Sequence, residues 1–325
     1  MNATSGPGNA AERRIRILWN PASGRKGGLP TNQASRRSLL EVMARHDLGD
    51  ELHETSSEDE AIEAARAAVA QGYGIVVAAG GDGSIRLVGR QLLDTRTALG
   101  ILPLGSVMNI PRMLGLPRDL EEAARILGAG HRRQIDVGQA GERTFFEAGS
   151  VGLHAAISRD IEKVDEGDYG AIVRSIVATF RYRPSRMTIE LDDGRTIETR
   201  ALLVAVANGP FMGAGFTVAP DALVDDGLFD VRLFLHYSKR ELILHFAGIA
   251  FGRRAYLPHT RTERTARVRI DSRRPLPARA DGEDLGTTPV TFEVRPRALW
   301  VVAPDGSGRQ AGQGTDGGSG EDAGA

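Results

Sequence analysis

Residues 80–84 read Gly80-Gly81-Asp82-Gly83-Ser84, and they separate the apolar run Tyr73–Ala79 from a segment with helical spacing, Ile85–Leu93. Strand, glycine loop and helix in that order form a phosphate-binding arrangement. Glycines without Cβ atoms let backbone N–H groups close on an anion, and the helix turns its positive end toward the same point. Asp82 stands inside that loop. A carboxylate there repels phosphate, so its use is to hold a metal, orient a neighbour or accept a proton from a hydroxyl nucleophile. That combination suggests phosphoryl transfer, although Asp-Gly is also a common hairpin turn and five residues alone do not separate the two.

The flanking segments extend this reading. Arg14–Trp19 is a short apolar strand running into Asn20-Pro21-Ala22-Ser23-Gly24, which places an amide, a hydroxyl and a flexible glycine directly after it. Gln33–His46 and Glu58–Gln71 carry helical periodicity, the second opened by Ser57 with Glu60 three residues on, the pattern of a capping box. Gly74–Ala79 and Ala98–Pro103 are apolar without alternation, as strands are when helices cover both faces. A further helix, Leu120–Leu127, follows Arg118-Asp119. Strands alternating with helices predict a parallel α/β layer for residues 13–135.

From Arg133 onward the texture is β-like: Thr144–Ala148, Arg186–Leu191, Thr196–Asn208, Leu228–Leu235, Arg267–Asp271, Val290–Val294 and Leu299–Val302. Asp192-Asp193-Gly194 predicts a hairpin turn between two of these runs, and Tyr169–Phe180 and Lys239–Phe251 are the best helical candidates. Residues 136–304 therefore predict a mostly antiparallel β domain, with a ligand crevice between the two halves. Residues 1–12 and the glycine-rich residues 305–325 read as a disordered leader and tail.

Composition narrows the function. At 325 residues, 41% hydrophobic and 26% charged, the chain has the makeup of a soluble globular protein with one large or two ordinary cores. The longest apolar candidate, Leu242–Phe251, is interrupted by His245 and Gly248, so no transmembrane segment is expected, nor is a secretory signal visible. The absence of cysteine excludes disulfides, thiolate metal sites and cysteine nucleophiles within it and is compatible with a cytoplasmic location. A net charge of −1 excludes a globally basic nucleic-acid binder. Lysine occurs only at Lys26, Lys163 and Lys239, and eight arginines face two acids between Arg253 and Arg274. A solvated strand pair, Arg264–Asp271, accounts for that cluster more simply than a lipid-headgroup patch. His154, His236, His245 and His259 lack metal-ligand spacing, and Asp165, Glu166 and Asp168 read as a solvated loop. Met108, Ile110, Met113 and Leu114 read as packing, with an apolar lip for an acyl chain as the other use.

Other segments look specialised in the same direction as the glycine loop. Pro103-Leu104-Gly105-Ser106 repeats the strand-to-loop pattern, with Asn109 shortly after. Asp225-Asp226-Gly227-Leu228 is an acidic turn able to surround a hard divalent cation, and Asp281-Gly282-Glu283 sets two carboxylates around a glycine, enough for magnesium or for a base. Each taken singly is also an ordinary turn. Taken in order, Asn-Pro-x-Ser-Gly, Gly-Gly-Asp-Gly-Ser, Pro-Leu-Gly-Ser, Asp-Asp-Gly-Leu and Asp-Gly-Glu resemble the diacylglycerol kinase catalytic family of lipid kinases, relatives of the sphingosine and ceramide kinases. The resemblance runs from about Arg14 to Pro304 and includes Asp136-Val137-Gly138, the Phe145–His154 stretch, Ala207-Asn208-Gly209, Gly213-Ala214-Gly215-Phe216 and Ala219-Pro220.

That resemblance implies an α/β architecture of two domains: an N-terminal α/β nucleotide-binding domain like that of NAD kinase and phosphofructokinase, and a C-terminal antiparallel β-sandwich. It implies ATP with Mg2+ as cofactors, a lipid substrate met at the membrane surface by a cytoplasmic protein acting peripherally, a role in phospholipid metabolism, and a homodimer, since relatives are often dimers. The phosphate loop falls on Gly80, Gly81, Asp82, Gly83, Ser84, Ile85 and Arg86, while Asn20, Thr55 and Ser106 fall on nucleotide-contacting positions. Asp82 would lie beside the transferred phosphate, and Glu283 with Asp281 on the carboxylates that activate the lipid hydroxyl. A separate regulatory or structural magnesium turn falls on Leu223, Asp226 and Leu228, the leucines through their main-chain carbonyls.

The chain also departs from the pattern. Relatives commonly follow the glycine loop with Asn-Glu where this sequence has Arg86-Leu87, and Thr-Gly-Asn or Thr-Ala-Asn becomes Ser106-Val107-Met108 with Asn109 next. Arg86 could add a phosphate contact, and Asn109 could substitute for the displaced amide. Two other readings remain: a soluble-substrate kinase of the NAD-kinase or phosphofructokinase type, and a nucleotide- or lipid-binding regulator without catalysis. The downstream Asp-Gly-Glu segment argues against the first, and the retained acids Asp82, Asp226, Asp281 and Glu283 argue against the second.

Overall fold

The computed structural model describes residues 14–21, 34–156, 181–213, 215–235 and 260–304, with a few short stretches between them. The expected helix Lys239–Phe251 and most of Tyr169–Phe180 lie outside the described residues, as do the expected leader and tail. The amino-terminal half contains β1 (Ile15–Trp19), β2 (Arg25–Lys26), β3 (Leu29–Pro30), α1 (Arg36–Arg45), β4 (Leu52–Glu54), α2 (Glu58–Ala70), β5 (Ile75–Gly80), α3 (Asp82–Gln91), β6 (Ala98–Pro103), α4 (Asn109–Met113) and α5 (Leu120–Ala129). The rest contains β7 (Arg132–Ala140), β8 (Arg143–Phe145), β9 (Ala148–Gly152), β10 (Ser185–Leu191), β11 (Thr196–Ala201), β12 (Leu203–Ala207), β13 (Phe211–Met212), β14 (Phe216–Thr217), β15 (Phe229–Phe234), β16 (Thr260–Thr265), β17 (Arg267–Ser272), β18 (Pro277–Ala280), β19 (Glu283–Thr287) and β20 (Val290–Val302).

Strands β4, β1, β5 and β6 are parallel neighbours, and every residue of β5 and β6 is buried. Their apolar runs split by the two-residue period of a strand. Val76 and Ala78 enter the layer containing Ala65, Ala68, Ile85 and Val88 of α2 and α3; Val77 and Ala79 enter the opposite layer with Leu39, Val42, Ala123 and Leu127 of α1 and α5. Helix starts follow local chemistry. Ser57 accepts the Glu60 N–H and Asp119 the Glu122 N–H, each satisfying an amide that the first turn leaves open. The Glu60 carboxylate reaches past Ser57 to the N–H and hydroxyl of Ser56, so only half of the expected capping box forms.

The second half is antiparallel. Strands β16, β15, β12, β9, β18 and β19 form one sheet, and β20, β17, β10 and β11 continue the first sheet beyond β6. Phe145 lies between the sheets, stacked on Phe229 at 5.6 Å and edge-on to Phe292 at 5.9 Å between ring centroids. Glycine is required beneath it: a Cβ on Gly138 would stand 2.1 Å from the Phe145 ring, and one on Gly149 would stand 2.4 Å from Phe292.

Several runs divide differently from the expectation. Thr196–Asn208 is two strands, β11 and β12, in different sheets. Arg264–Asp271 spans the end of β16 and most of β17, which also belong to different sheets. The arginines around them are paired: Arg264 with Asp226, Arg267 with Glu293, and Arg269 with Glu190 and Asp271. Conversely, Val290–Val294 and Leu299–Val302 are one strand of 13 residues, β20, whose register breaks between Arg295 and Leu299. Pro296 offers no N–H there and Arg297 has φ +52, so the ladder bulges without ending. β7 crosses the 135/136 position at which the composition changes, and it pairs with β20 over its length.

Candidate active site

The carboxyl ends of the four parallel strands gather the expected nucleotide residues. Trp19 pairs with Glu54 and Ala79, and Gly80 with Pro103, so Asn20, Thr55, Gly80 and the Leu104-Gly105-Ser106 turn leave the sheet at one edge. Thr55 is buried, its N–H bonded to the Trp19 carbonyl at 2.9 Å. The Ser106 carbonyl accepts from Arg118 at 2.8 Å. Of the first loop, Ala22, Ser23 and Gly24 lie outside the described residues.

At this edge α3 begins at Asp82, three residues before the apolar spacing predicts. Gly81 is its cap, with extended backbone and no side-chain capping bond. The first-turn amides therefore carry no side-chain oxygen, as an anion-binding terminus requires. Gly105 is fixed by close approach: a Cβ on it would stand 2.7 Å from Gly81 Cα and 2.8 Å from Met108 Sδ.

Asp82 is committed to its neighbour. Its Oδ2 accepts the Asn109 N–H at 3.0 Å and its Oδ1 the Ile110 N–H at 2.9 Å. It thereby caps α4, whose own cap residue Met108 has a left-handed backbone and no capping side chain. Of the three uses the sequence leaves open for this acid, orienting a neighbour is the one the described contacts display. Met108, Ile110, Met113 and Leu114 are all buried, and the last three belong to the core under α3.

From the other half, Asp281 forms the β18–β19 turn with φ +46, and its carboxylate accepts the N–H groups of Phe146 at 2.6 Å, Glu147 at 3.0 Å and Ala148 at 3.1 Å. Burial raises its pKa, against the pull of Arg86 and those three amides. Glu147, 4% exposed, accepts from Asn109 Nδ2 at 2.6 Å and faces Arg86 at 3.4 Å. Burial, with Asp281 and Asp82 close by, lifts the Glu147 carboxyl well above the ordinary glutamate range, and Arg86 and Asn109 offset this only in part. Glu283 is clamped by Arg90 at 2.5 Å and Arg143 at 2.8 Å. Burial opposes its ionisation, but the two guanidinium groups outweigh that and hold it below the usual range. Arg86 loses charge stability through burial, yet Asp281, Glu147, Asp82 and Glu283 around it more than restore it.

Two arginines one turn apart on α3 thus carry the glycine loop across to the sandwich: Arg86 to Glu147, and Arg90 to Glu283 and to the Thr144 carbonyl at 2.7 Å. Asn109 completes the junction by donating to the Gly213 carbonyl at 2.8 Å. Glu147, Arg90 and Arg143 are the residues that sequence reasoning missed. A lone acid inside the apolar stretch Phe145-Phe146-Glu147-Ala148 was the available signal, because a charge there must be buried with a partner.

Leu223, Asp226 and Leu228 stand apart from this cluster. Asp226 Oδ1 accepts the Leu228 N–H at 3.0 Å, and its Oδ2 pairs with Arg264. The buried Asp136 braces the turn, accepting from Gly227 N at 2.6 Å and Arg297 N at 2.7 Å. Arg264 already places a positive charge on the turn, and a divalent ion held by Asp226 would have to displace it. Among the described residues, no three His, Asp or Glu side chains are grouped to hold a metal. His154 bonds Ser150 Oγ at 3.0 Å, and burial beside Arg279 depresses its pKa to about 4.

Comparison with known proteins covers nearly all of these elements. The diacylglycerol kinase catalytic domain matches residues 14–140, and the YegS C-terminal NAD kinase beta sandwich-like domain matches residues 149–303. A diacylglycerol kinase of Bacillus subtilis is 28% identical over 301 residues, which is 90% of this chain and 97% of the relative. One from Staphylococcus aureus is 27% identical over 309 residues, 90% of this chain and 93% of the relative. In fold, the chain is similar to a putative diacylglycerol kinase from Bacillus anthracis, with TM-score 0.71, 19% identity, and coverage of 93% of this chain and 99% of that one.

Proposed function

Since the chain belongs to the diacylglycerol kinase catalytic-domain family and is a lipid kinase, we propose that it transfers the terminal phosphate of ATP, carried with Mg2+, to a hydroxyl of diacylglycerol or a related membrane lipid. The observation that carries the finer reading is the meeting of two unlike edges. The uncapped first turn of α3, entered through Gly80-Gly81, closes one side of the junction, and the acids Glu147, Asp281 and Glu283 close the other, with Arg86 between them.

The chemistry suits such a junction. Main-chain amides, Arg86 and the ion travelling with ATP offset charge on the phosphate oxygens, which is most of what a phosphotransferase supplies. Asn20, Thr55 and Ser106 lie along the same edge, where the adenosine would extend. Asp82 acts by holding α4, and through it Asn109, against the acidic edge. Asp281 fixes the strand that presents Glu147, and Glu283 holds Arg90 and Arg143. No step in this proposal requires a resident ion at Asp226. The protein would work as a peripheral visitor to the bilayer from the cytoplasm, as a homodimer; no helix among the described residues is long and apolar enough to cross a membrane.

Purified protein given labelled MgATP and vesicles containing diacylglycerol should yield a labelled phospholipid. Asp82→Asn, which keeps the shape but loses one acceptor for the α4 amides, should lower that rate by about 100-fold, an effect of the size expected when positioning is lost. Equal rates for both proteins, or label appearing only in NAD or sugar phosphates, would overturn the proposal.

A further inference from the structure

Four acids surround Arg86, and three of them are already engaged. Both oxygens of Asp82 hold α4 amides, Asp281 holds three amides, and Glu283 lies in close contact with two guanidinium groups. Glu147 differs. Its carboxylate meets one neutral amide and, at 3.4 Å, a guanidinium farther away than either cation on Glu283. Its main chain is pinned on both sides: the N–H donates to Asp281, and the carbonyl accepts from Asn208 N at 2.9 Å and Gly209 N at 3.1 Å. A carboxylate with one neutral donor and one longer charged contact, carried on a fixed backbone, is less committed than its three neighbours and is positioned as a reacting group must be. The buried Oδ1 of Asn109, on the amide that holds Glu147, has no hydrogen-bond partner among the described residues, as a polar atom left for a ligand hydroxyl would.

Building on the lipid-kinase reading above, we propose that Glu147 is the proton acceptor for the lipid hydroxyl, uncovered when the terminal phosphate of a nucleoside triphosphate draws Arg86 toward the glycine loop. Arg86 is placed for that movement. It sits on the first helical turns after the loop with its side chain 23% exposed, and its guanidinium prefers a phosphate dianion to a carboxylate at 3.4 Å. In the step itself the hydroxyl oxygen bonds to the terminal phosphorus. The bond from that phosphorus to the bridging oxygen breaks with its electron pair on the departing diphosphate, and the hydroxyl proton passes to a Glu147 oxygen. The proton returns to water as product leaves.

The surroundings match the role. Facing Glu147 are Asp82 and Arg86 from α3, Asn109 from α4 and Asp281 from the β18–β19 turn. Burial among acids gives this carboxyl more proton affinity than an ordinary glutamate, and moving Arg86 away increases it further. A base of that strength suits neutral pH better than Glu283, whose affinity is below the ordinary value.

The test is the pH dependence of lipid phosphorylation on diacylglycerol vesicles with MgATP. Glu147→Gln should lower kcat by about 10²–10⁴-fold, leave the KM for ATP within a few-fold, and abolish the rise in rate with pH that the wild type shows above the ordinary carboxylate range. Glu283→Gln should keep that rise. Should Glu147→Gln fail to fold, Glu147→Asp, which keeps the charge but withdraws it by one methylene, should lower kcat and displace the rise to lower pH. A wild type that phosphorylates lipid while Glu147→Gln keeps the pH rise, or while Glu147→Asp keeps the wild-type kcat and pH profile, overturns the assignment alone. A wild type inert on every lipid overturns the lipid-kinase reading and this assignment with it.

Discussion

The two edges of the junction are made of different material. The edge proposed to take the nucleotide is main chain: Gly81 caps α3 without a side chain, and Gly105 withholds one so that the two loops can approach. The acidic edge is side chain: Glu147 before β9 and Asp281 with Glu283 at the β18–β19 turn come from two places in the sandwich, and the partners that hold them are 38 or more residues away in sequence. At Gly105 the backbone edge tolerates almost no added volume, whereas the carboxylate edge tolerates little change of charge.

The largest effect expected from that contrast is at Asp281. Asp281→Ala would strand the buried amides of Phe146, Glu147 and Ala148 and leave Arg86 with less compensating charge. Each stranded amide costs about 1–3 kcal/mol, so denaturant unfolding should report a loss of roughly 3–5 kcal/mol. A loss under about 1 kcal/mol would mean that water replaces the carboxylate and the acidic edge is not side chain in the sense argued.

Gly105→Ala tests the other edge. A methyl group 2.7 Å from Gly81 Cα meets backbone that cannot rotate away, so the two loops must part. The cost in stability should be about 1–3 kcal/mol, and ADP affinity measured by calorimetry should fall by more than tenfold. If ADP affinity is unchanged, nucleotide is not bound between these loops.

The smallest effect is in pH dependence. His154 in the sandwich has a folded pKa of about 4 against 6.5 unperturbed, so the unfolded chain takes up its proton first, and its contribution to stability is lost as pH falls from about 6.5 toward 4. Glu147 and Asp281 are raised, so they act oppositely: the folded chain binds their protons first, and stability declines as pH rises above the ordinary carboxylate range. Melting temperatures of wild type and His154→Gln should therefore converge as pH drops from 7 to 5. Parallel curves would remove His154 from the account.

The same contrast explains what could be read from residues alone. The Ser57 and Asp119 caps and the buried strands β5 and β6 follow from local chemistry, and each is where the sequence places it. The start of α3 at Asp82 was hidden because glycine reads as a helix breaker, and the contact that requires glycine at position 105 is made across 24 residues of sequence to Gly81. β16 and β17 read as one solvated pair because the two sheets part at Ala266, a point set by the distant Asp192, which accepts its N–H at 2.9 Å. The role of Glu147 depends on Asp281, Asn109 and Arg86 converging across 195 positions of sequence, from 86 to 281, and no window of residues contains that.

The last strand carries a consequence for how the molecule is made. Val301 of β20 lies beside Leu99 of β6, closing the parallel layer with residues synthesised about 200 positions after it. A nascent amino-terminal half emerges with its glycine loop complete and one flank of its sheet bare, a template for stray strands until the final segment docks. Residues 13–135 produced alone would keep that flank open and should aggregate, whatever the quality of their motifs.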